Sequence, residues 1–379
     1  MKKIVFLINS LDGGGAERVV STLLNNFVNE YECYLILMEN EISYKLDNKV
    51  KIINLNENSN ISGIKKLIRL PIIAYKLSKI IKQYNFTQVI SFLHRANYVN
   101  SLSKIFSNHK VIISERIASS SLYSDSSMTS KISRFLIRSL YNKADLIISV
   151  SKAIKYDLEQ NFNITTKQIV IYNPYNIEHI NNLTKEKINI EINKEKSIIT
   201  VGSLQKRKNH SMLIKAFSKI EDKEYRLYIL GIGTEEENLK LLVKNLKIKD
   251  RVVFLGFDNN PYKYLAKCSV FVLSSNSEGF PNVLAEAMVC GCSVISTDCL
   301  SGPREILAPC SNENKRLFDN IELAEYGILT AINNEKLLIK AFDLLLNNEN
   351  LLNKYSIKAK ERSLDFTIKN IVNEYKKVI

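Results

Sequence analysis

Two glutamates, Glu278 and Glu286, stand eight residues apart in a segment whose composition changes from loop to helix. The residues between them include a glycine and a proline, and a helix is predicted to begin near Asn282. Backbone amides at the N-terminus of a helix bind anions, and carboxylates accept hydrogen bonds from hydroxyl groups. The spacing therefore predicts a site for a diphosphate that carries hydroxyl-bearing groups.

Glu286 falls within an apolar stretch of the predicted helix. Its neighbours are Leu284, Ala285, Ala287, Met288 and Val289. Two solvated glutamates on a surface helix are the simplest alternative. A carboxylate among these residues is nevertheless expected to be buried, and a buried carboxylate needs a hydrogen-bonding partner. The pattern thus favours a ligand-binding role over a solvated one.

A second anion-binding pattern lies near the N-terminus, in the segment 10–18. Gly13, Gly14 and Gly15 let backbone amides approach a ligand, and the helix that follows directs its positive end to the same place. The pattern differs from the dinucleotide-binding fingerprint, because Arg18 stands where the third glycine would be. A tight turn without a ligand is the alternative interpretation.

Short β-branched runs alternate with longer amphipathic segments along almost the whole chain, as in parallel sheets with crossover helices. We predict an α/β fold of two Rossmann-like doubly wound domains that face a central cleft. The predicted divisions are a first domain over 1–175, a linker over 176–196, a second domain over 197–360 and a C-terminal helix over 361–379 that crosses back to the first. Strands are predicted at 3–9, 33–38, 89–93, 111–114, 146–150, 197–201, 225–230, 252–255, 270–273 and 294–296.

The Glu278-x7-Glu286 pair and the glycine-rich start Ser-Leu-Asp-Gly-Gly-Gly-Ala-Glu-Arg resemble the retaining glycosyltransferases of family 4, which have the GT-B fold. The resemblance spans essentially the whole chain and is strongest to bacterial N-acetylgalactosaminyltransferases that act on undecaprenyl-diphosphate-linked glycans. It implies transfer of a sugar from a UDP-sugar to a lipid-diphosphate-linked saccharide. By position, Glu286 would bind the donor ribose, Glu278 the hexose hydroxyls, and 279–283 the diphosphate.

The family's G-R-L-x-x-x-K-N stretch, whose arginine and lysine neutralise the leaving diphosphate, is Gly-Ser-Leu-Gln-Lys-Arg-Lys-Asn in this chain. Lys208 is kept, whereas Ser203 replaces the arginine. The resemblance implies Lys208 and Glu278 as the catalytic residues, and Arg207 and Arg304 are two candidates for the missing charge. The implied donor-binding residues are Gly202, Ser203, Lys208, Glu278, Gly279, Phe280, Pro281, Asn282, Val283 and Glu286.

Many family members carry a histidine after the strand predicted at 111–114, where this chain has Glu115 and Arg116. A histidine-based mechanism is therefore doubtful, and the resemblance implies a same-face substitution in which the leaving phosphate assists the acceptor hydroxyl. His94 and His210 are expected to have structural roles. Because there is no Asp-x-Asp and no His/Asp cluster at ligand spacing, no metal or other cofactor is expected.

The charge balance points to an anionic partner. Lys and Arg number 53 against 39 Asp and Glu, a net charge of +14, and the interval 58–114 holds nine basic residues and no acidic one. On a helix predicted over 64–84, a basic face lies opposite an apolar one and is formed by Lys65, Arg69, Lys76 and Lys79. This face predicts binding to anionic headgroups or to a lipid diphosphate.

Two observations qualify that interpretation. Pro71 is expected to split the segment into two helices and so break the phase of the basic face. An ordinary surface helix with solvated lysines is the alternative, and the acid-free context favours the functional role. The predicted acceptor-binding residues are Gly14, Gly15, Arg18, Lys65, Arg69, Lys76 and Arg116.

No apolar run reaches the ~18 to 20 residues of a transmembrane helix, and the six cysteines show no repeated CxxC spacing. We expect a cytoplasmic protein that is peripheral on the inner face of the cell membrane. Three alternatives stay open: a sugar-nucleotide epimerase, a basic nucleic-acid-binding protein, and a family member that has lost activity. The chain lacks known nucleic-acid-binding motifs, so no nucleic-acid partner is expected.

Overall fold

A computed structural model describes residues 1–58, 63–312 and 315–379 of the chain. The chain divides into two compact units, one formed by Met1–Pro174 with Ile368–Ile379 and the other by Tyr175–Thr367. Each unit is built on one seven-stranded sheet. Within the described ranges, no helix is long and apolar enough to cross a membrane.

The first unit has a wholly parallel sheet. Its strands are β1 Lys3–Ile8, β2 Glu32–Leu37, β3 Lys51–Asn54, β4 Gln88–Phe92, β5 Lys110–Glu115, β6 Leu146–Ser149 and β7 Gln168–Val170. Their order in the sheet is β3-β2-β1-β4-β5-β6-β7. The strand order reverses between β1 and β4, which pair directly, with Phe6 beside Ile90. Ligands of open α/β sheets bind at this switch point, beyond the carboxyl ends of the strands.

Helices cover both faces of this sheet. They are α1 Gly15–Phe27, α2 Gly63–Ile68, α3 Leu70–Tyr84, α4 His94–Ser103, α5 Ser119–Leu122, α6 Met128–Leu140 and α7 Lys152–Phe162. Helices α3, α4, α6 and α7 pack into the core on one face, and α1 packs on the other. Local residues set their ends: the Ser151 hydroxyl caps α7, and Asn85 and Asn163 end α3 and α7 in the left-handed conformation.

The basic segment is two helices, as the proline predicts. Helix α2 ends at Ile68 and α3 begins at Leu70, with Pro71 in its first turn. Proline is tolerated there because the first amides of a helix have no intrahelical partner. The two helices are separated by Arg69 alone, which has right-handed helical dihedral angles.

The second unit repeats the same plan. Its strands are β8 Ser197–Val201, β9 Arg226–Leu230, β10 Val252–Gly256, β11 Val270–Leu273, β12 Ser293–Thr297, β13 Ile321–Leu323 and β14 Ile328–Thr330. The order is β10-β9-β8-β11-β12-β14-β13, and only β13 runs antiparallel to its neighbour. The switch point lies between β8 and β11, where Ile198 pairs with Val270.

The helices of the second unit surround an apolar core. They are α8 Ile177–Leu183, α9 His210–Ser218, α10 Glu236–Asn245, α11 Tyr262–Leu265, α12 Asn282–Val289, α13 Pro303–Leu307, α14 Glu335–Leu346 and α15 Glu349–Ser363. Helices α9, α14 and α15 bury Phe217, Phe342 and Tyr355 in this core. A further helix, α16 Ile368–Lys376, belongs to the first unit, where it packs against α1.

Two stretches are organised differently from the predicted divisions. The stretch 176–196 contains α8, which packs against α11 and α12, and the Asn260 side chain donates to the Leu183 carbonyl. Helix α15 continues through 361 to Ser363, because the Arg362 guanidinium donates to the carbonyls of Glu305 and Ile306. Residues 176–196 and 361–363 thus make these contacts within the second unit, whereas residues 368–379 belong to the first.

A buried histidine makes the stability of the fold depend on pH. His210, at the start of α9, is buried, which lowers its pKa to about 4, and the positive charge of Lys208 acts in the same direction. The folded state therefore favours the neutral ring. Its contribution to stability is complete above pH 6.5 and is lost as the pH falls towards 4.

We predict that His210→Leu loses less stability than the parent between pH 7 and pH 4.5, because leucine binds no proton. The difference in the free energy of unfolding is expected to be roughly 2 to 3 kcal/mol. Urea denaturation at the two pH values measures it. His179 is exposed, so His179→Leu serves as control; an equal acid sensitivity in both variants would contradict the prediction.

Candidate functional site

The site of the second unit forms where two neighbouring strands end. Because β8 and β11 are parallel and adjacent, the loops that follow them meet at one edge of the sheet. The first loop carries Lys208, in a 3₁₀ turn over Lys206–Lys208, and the second carries Glu278. Two residues that are distant in sequence are thus brought into contact.

Lys208 and Glu278 form a close ion pair. The Lys208 Nζ lies 2.5 Å from Glu278 Oε1, and the Ser275 hydroxyl donates to the same oxygen at 2.6 Å. The side chains are only 13% and 8% exposed. In such a site water screens the charges poorly, so the ammonium and carboxylate groups attract each other strongly.

Hydrogen bonds fasten the two loops to each other. The Ser274 hydroxyl donates to the Lys208 carbonyl, and the Asn276 amide donates to the Arg207 carbonyl, both at 2.8 Å. Asn209, with φ 52°, reverses the chain before α9 and donates to the Asn276 side chain at 3.2 Å. The position of the cationic turn is therefore set by the loop that carries the glutamate.

The residues that the sequence predicts for a diphosphate lie in the loop before α12 and in its first turn. Pro281 precedes the helix, and Asn282 and Val283 open it. Phe280 packs edge-on against Phe366, at 5.4 Å between ring centres. Behind the helix, the Tyr175 hydroxyl donates to Asn282 Oδ1 at 2.7 Å. These aromatic contacts hold the first turn in place.

Gly302 allows this loop to lie where it does. Its φ is 89°, and a Cβ at this position would be 2.3 Å from Pro281 Cδ and 3.1 Å from the carbonyl oxygen of Gly279. The neighbouring Ser301 hydroxyl donates to the Glu278 carbonyl. The glycine therefore meets two demands, a left-handed backbone and close approach of the diphosphate loop.

Glu286 is buried, as its apolar neighbours predict, with 4% of its surface exposed. The Tyr262 hydroxyl of α11 lies 3.4 Å from Glu286 Oε1 and donates towards it. Sequence analysis did not single out Tyr262. A tyrosine in a helix twenty-four residues away gives no local signal.

Gly202 and Ser203 follow β8 directly. Gly202 is packed against Gly231, because a Cβ on Gly231 would lie 2.0 Å from the Gly202 carbonyl oxygen. Ser203 is half-buried, and its carbonyl accepts from the Gln205 amide at 2.9 Å. The structure thus gathers the predicted donor-binding residues of the second unit at the end of β8 and around the start of α12.

In the first unit, the glycine loop lies at the corresponding switch point. Gly14 precedes α1 and Gly15 opens it, and the Tyr44 hydroxyl donates to the carbonyls of Gly13 and Gly14, both at 3.0 Å. Arg18 closes the first turn, since its amide donates to the Gly14 carbonyl. The predicted anion-binding loop is therefore held on one side by a tyrosine that the sequence did not indicate.

Arg116 follows β5 and is buried. Its guanidinium donates to the Asn173 side chain. Burial raises the pKa of Glu17 in the first turn of α1, and the positive charge of Arg116 opposes that shift. Arg116 is thus close enough to the first turn of α1 for its charge to act on Glu17.

A polar cluster that sequence analysis left out occupies the same edge. The Tyr141 hydroxyl donates to Glu115 Oε2 at 2.6 Å, and His94 Nε2 lies 3.4 Å from that oxygen and 2.9 Å from the Ser119 hydroxyl. His94 opens α4 directly after Leu93, whose φ of 72° is unusual for leucine. His94 therefore belongs to a network rather than standing alone.

Acidic residues from an earlier part of the chain meet the acid-free stretch. Glu57, with a side chain that is 0% exposed, binds Arg69 at 2.9 Å and Lys76 at 3.1 Å. The hydrogen bonds from Arg69 hold the pKa of Glu57 below its usual value. Two of the predicted acceptor-binding cations are thus engaged by a carboxylate, whereas Lys65 is exposed.

A second carboxylate extends this cluster. Glu39 binds Arg95 at 2.6 Å and Lys66 at 3.1 Å, and Arg95 also lies 3.9 Å from Glu57. Four cations surround two carboxylates, so the cluster retains positive charge. Residues 59–62 of the acid-free stretch lie outside the described part of the chain.

No group of three or more His, Cys, Asp or Glu side chains among the described residues is arranged to hold a metal ion. In the second unit, Lys208 and Arg207 both lie beside Glu278, and α12 begins four residues after that glutamate. Each unit is thus a doubly wound sheet, and the second unit carries a cationic turn in contact with the first glutamate of the Glu-x7-Glu pair.

Comparisons with known proteins agree. The family described as Glycosyltransferase Family 4 matches residues 13–179, and that described as Glycosyl transferases group 1 matches residues 182–362. The chain is 37% identical over 369 residues, 97% of this chain and 96% of the relative, to the N-acetylgalactosamine-N,N'-diacetylbacillosaminyl-diphospho-undecaprenol 4-alpha-N-acetylgalactosaminyltransferase of Campylobacter jejuni. The chain therefore belongs to glycosyltransferase family 4 and is a glycosyltransferase.

Two further similarities extend this result. The chain is 30% identical over 383 residues, 100% of this chain and 98% of the relative, to a second Campylobacter jejuni enzyme, the GalNAc-alpha-(1->4)-GalNAc-alpha-(1->3)-diNAcBac-PP-undecaprenol alpha-1,4-N-acetyl-D-galactosaminyltransferase. The structure of Anabaena HepE in complex with UDP matches with a TM-score of 0.78 at 19% identity and covers 100% of this chain and 99% of HepE. The prediction of a GT-B fold is confirmed.

We predict that Gly302→Ala weakens binding of a UDP-sugar and destabilises the second unit by about 1 to 3 kcal/mol, because the new methyl group displaces Pro281. Calorimetric titration with UDP and thermal unfolding measure the two effects. Gly256→Ala is the matched control, since Gly256 also has a positive φ, 69°, but nothing lies within 4 Å of its added Cβ. Equal losses of UDP affinity in both variants would contradict the steric explanation.

Proposed function

We propose that this glycosyltransferase moves a sugar, an N-acetylhexosamine such as N-acetylgalactosamine, from a UDP-sugar to a saccharide linked to a polyprenyl diphosphate, with retention of configuration. The observation that carries the proposal is the Lys208–Glu278 pair beside the start of α12. The names of the two Campylobacter relatives support the choice of sugar and of acceptor. The product would be a surface glycan or an N-glycan intermediate.

In this proposal the second unit binds the donor. Glu286, buried in α12, accepts from the ribose hydroxyls, and Glu278 accepts from the hexose hydroxyls. Backbone amides between Gly279 and Val283 receive the diphosphate at the helix start. Lys208 then stabilises the charge that develops on the departing UDP, which gives the site its catalytic effect.

The transfer itself needs one bond to form and one to break on the same face of the sugar. The acceptor hydroxyl oxygen bonds to the anomeric carbon, the bond from that carbon to the diphosphate oxygen breaks, and the hydroxyl proton passes to the departing phosphate. Positive side chains and the α12 amides neutralise the leaving group, so we propose a reaction that needs no metal ion.

The first unit is proposed to bind the acceptor diphosphate and its saccharide. Gly14, Gly15, Arg18 and Arg116 lie around the start of α1, where amides and guanidinium groups favour anions. The positive cluster around Glu39 and Glu57 adds to the same edge of the sheet, because both glutamates follow the ends of β2 and β3.

We predict that UDP is released from a UDP-N-acetylhexosamine only when a short lipid-diphosphate saccharide is present. Lys208→Ala should lower kcat by about 100- to 1000-fold, as expected for loss of a charge that stabilises the leaving group. Lys206→Ala, in the same turn but without a Glu278 contact in the structure, should retain activity. Conversion of the donor to its epimer without release of UDP would favour an epimerase instead.

An anionic membrane surface on the cytoplasmic side is the proposed location of the acceptor. Ile64, Ile68 and Ile72 are 48%, 71% and 54% exposed on α2 and α3, next to the exposed Lys65 and Lys79. Apolar side chains flanked by lysines suit the interface of an anionic bilayer.

Helix α6 adds a second stripe of the same kind. Met128 and Phe135 are 64% and 67% exposed, the neighbouring Lys131 and Arg138 are exposed too, and α6 has no acidic residue. Helices α3 and α6 both pack against α4 on the same face of the sheet. We therefore propose that α2, α3 and α6 together form the membrane-facing surface.

We predict that Ile68→Ser combined with Phe135→Ser weakens binding to phosphatidylglycerol vesicles by about tenfold or more, because each large apolar side chain contributes about 1.5 to 3 kcal/mol when buried. Vesicle flotation at low salt measures it. Leu241→Ser, which alters a leucine that is 56% exposed on α10 of the second unit, is the control. Equal binding by all three proteins would refute the membrane-facing surface.

A further inference from the structure

By resemblance to the family, an arginine and a lysine neutralise the leaving group, and this chain has Ser203 at the position of the arginine. Lys208 does not make up the difference alone, because its charge is balanced by Glu278 at 2.5 Å. Those two groups together present no net charge to a nucleoside diphosphate. A second cation is needed for the site to attract the leaving group and to stabilise it.

Arg304, one of the two candidates, already serves another purpose. Its side chain is 3% exposed, and it binds Asp298 at 2.6 Å and Glu322 at 3.1 Å. Its guanidinium is therefore neutralised by two carboxylates within the second unit. Turning it towards a ligand would leave the Asp298 carboxylate, which is 0% exposed, without its cation.

Arg207, the other candidate, faces the site. Its Nη1 lies 4.0 Å from Glu278 Oε2, the carboxylate oxygen opposite the one that Lys208 binds. Half of its side chain, 52%, is exposed, and its contact with the Gln205 side chain is a long one of 3.3 Å. The backbone of Arg207 is fixed by the Asn276 amide, while its guanidinium can still move.

We infer that Arg207 supplies the second positive charge for the departing nucleoside diphosphate, in place of the arginine that Ser203 replaces. The inference rests on the proposed function. With Arg207, two cations meet one carboxylate, and the site carries a net positive charge. A guanidinium also binds phosphate oxygens in pairs, which a solvated lysine does not do.

The experiment measures kcat for UDP release with a lipid-diphosphate saccharide as acceptor, and UDP affinity by calorimetry, in variants that keep the melting temperature of the parent. Arg207→Ala should lower kcat 10- to 100-fold and weaken UDP binding several-fold. Arg207→Lys should retain part of the activity. Lys206→Ala, which removes an equal charge from the same turn, should stay within twofold of the parent.

The decisive variants place a cation at residue 203, where the family has its arginine, in a protein that lacks the Arg207 guanidinium. Ser203→Arg or Ser203→Lys in the Arg207→Ala background should restore at least tenfold of the lost kcat, since either places a cation after β8. The inference is overturned if Arg207→Ala stays within twofold of the parent, if Lys206→Ala loses as much, or if neither substitution at Ser203 restores activity.

The experiment distinguishes failure of the proposed donor site from failure of the role inferred for Arg207. If Lys208→Ala and Glu278→Gln leave UDP release and UDP binding unchanged, the proposed donor site itself is wrong. If both variants are inactive while Arg207→Ala is as active as the parent, the donor site stands and only the role of Arg207 falls.

Discussion

The Lys208 ammonium and the Glu278 carboxylate are held together where water barely reaches them. Desolvation offsets most of the attraction within such a pair, so it adds little to stability by itself. It exists because β8 and β11 are adjacent and parallel, and because the Ser274 hydroxyl and the Asn276 amide tie one loop to the other. The Lys208–Glu278 pair is thus a consequence of the strand order. The same order places the pair at the carboxyl edge of the sheet, where ligands of such sheets bind.

In the first unit, too, charged side chains that follow neighbouring parallel strands come together, but here cations outnumber carboxylates. Glu39 and Glu57 follow two neighbouring strands, β2 and β3, and both meet cations delivered by α2, α3 and α4. Their carboxylates do not cancel the positive charge, since four cations surround them. The two carboxylates instead fix where the positive charge lies, because a guanidinium bound to a buried carboxylate keeps its position while solvated lysines do not.

Many of the strands and helix ends can be predicted from the sequence because they depend on residues that are adjacent along the chain. A parallel sheet is buried on both faces, so strands such as β1 and β11 show as largely apolar runs. Pro71 marks the break between α2 and α3 through the chemistry of its own ring. Four short strands were not predicted. The edge strands β3, β7 and β13 have partly exposed residues, and β14 is buried but has only three residues.

The sequence by itself determined the class of fold, the burial of Glu286 and the family of the protein, because each depends on residues close together along the chain. Only the tertiary structure decided which charges meet. Glu57 binds Arg69 and Lys76, and Tyr262 reaches Glu286. Electrostatic partners are chosen by distance in space, and sheet topology brings together side chains whose separation in sequence carries no periodic signal.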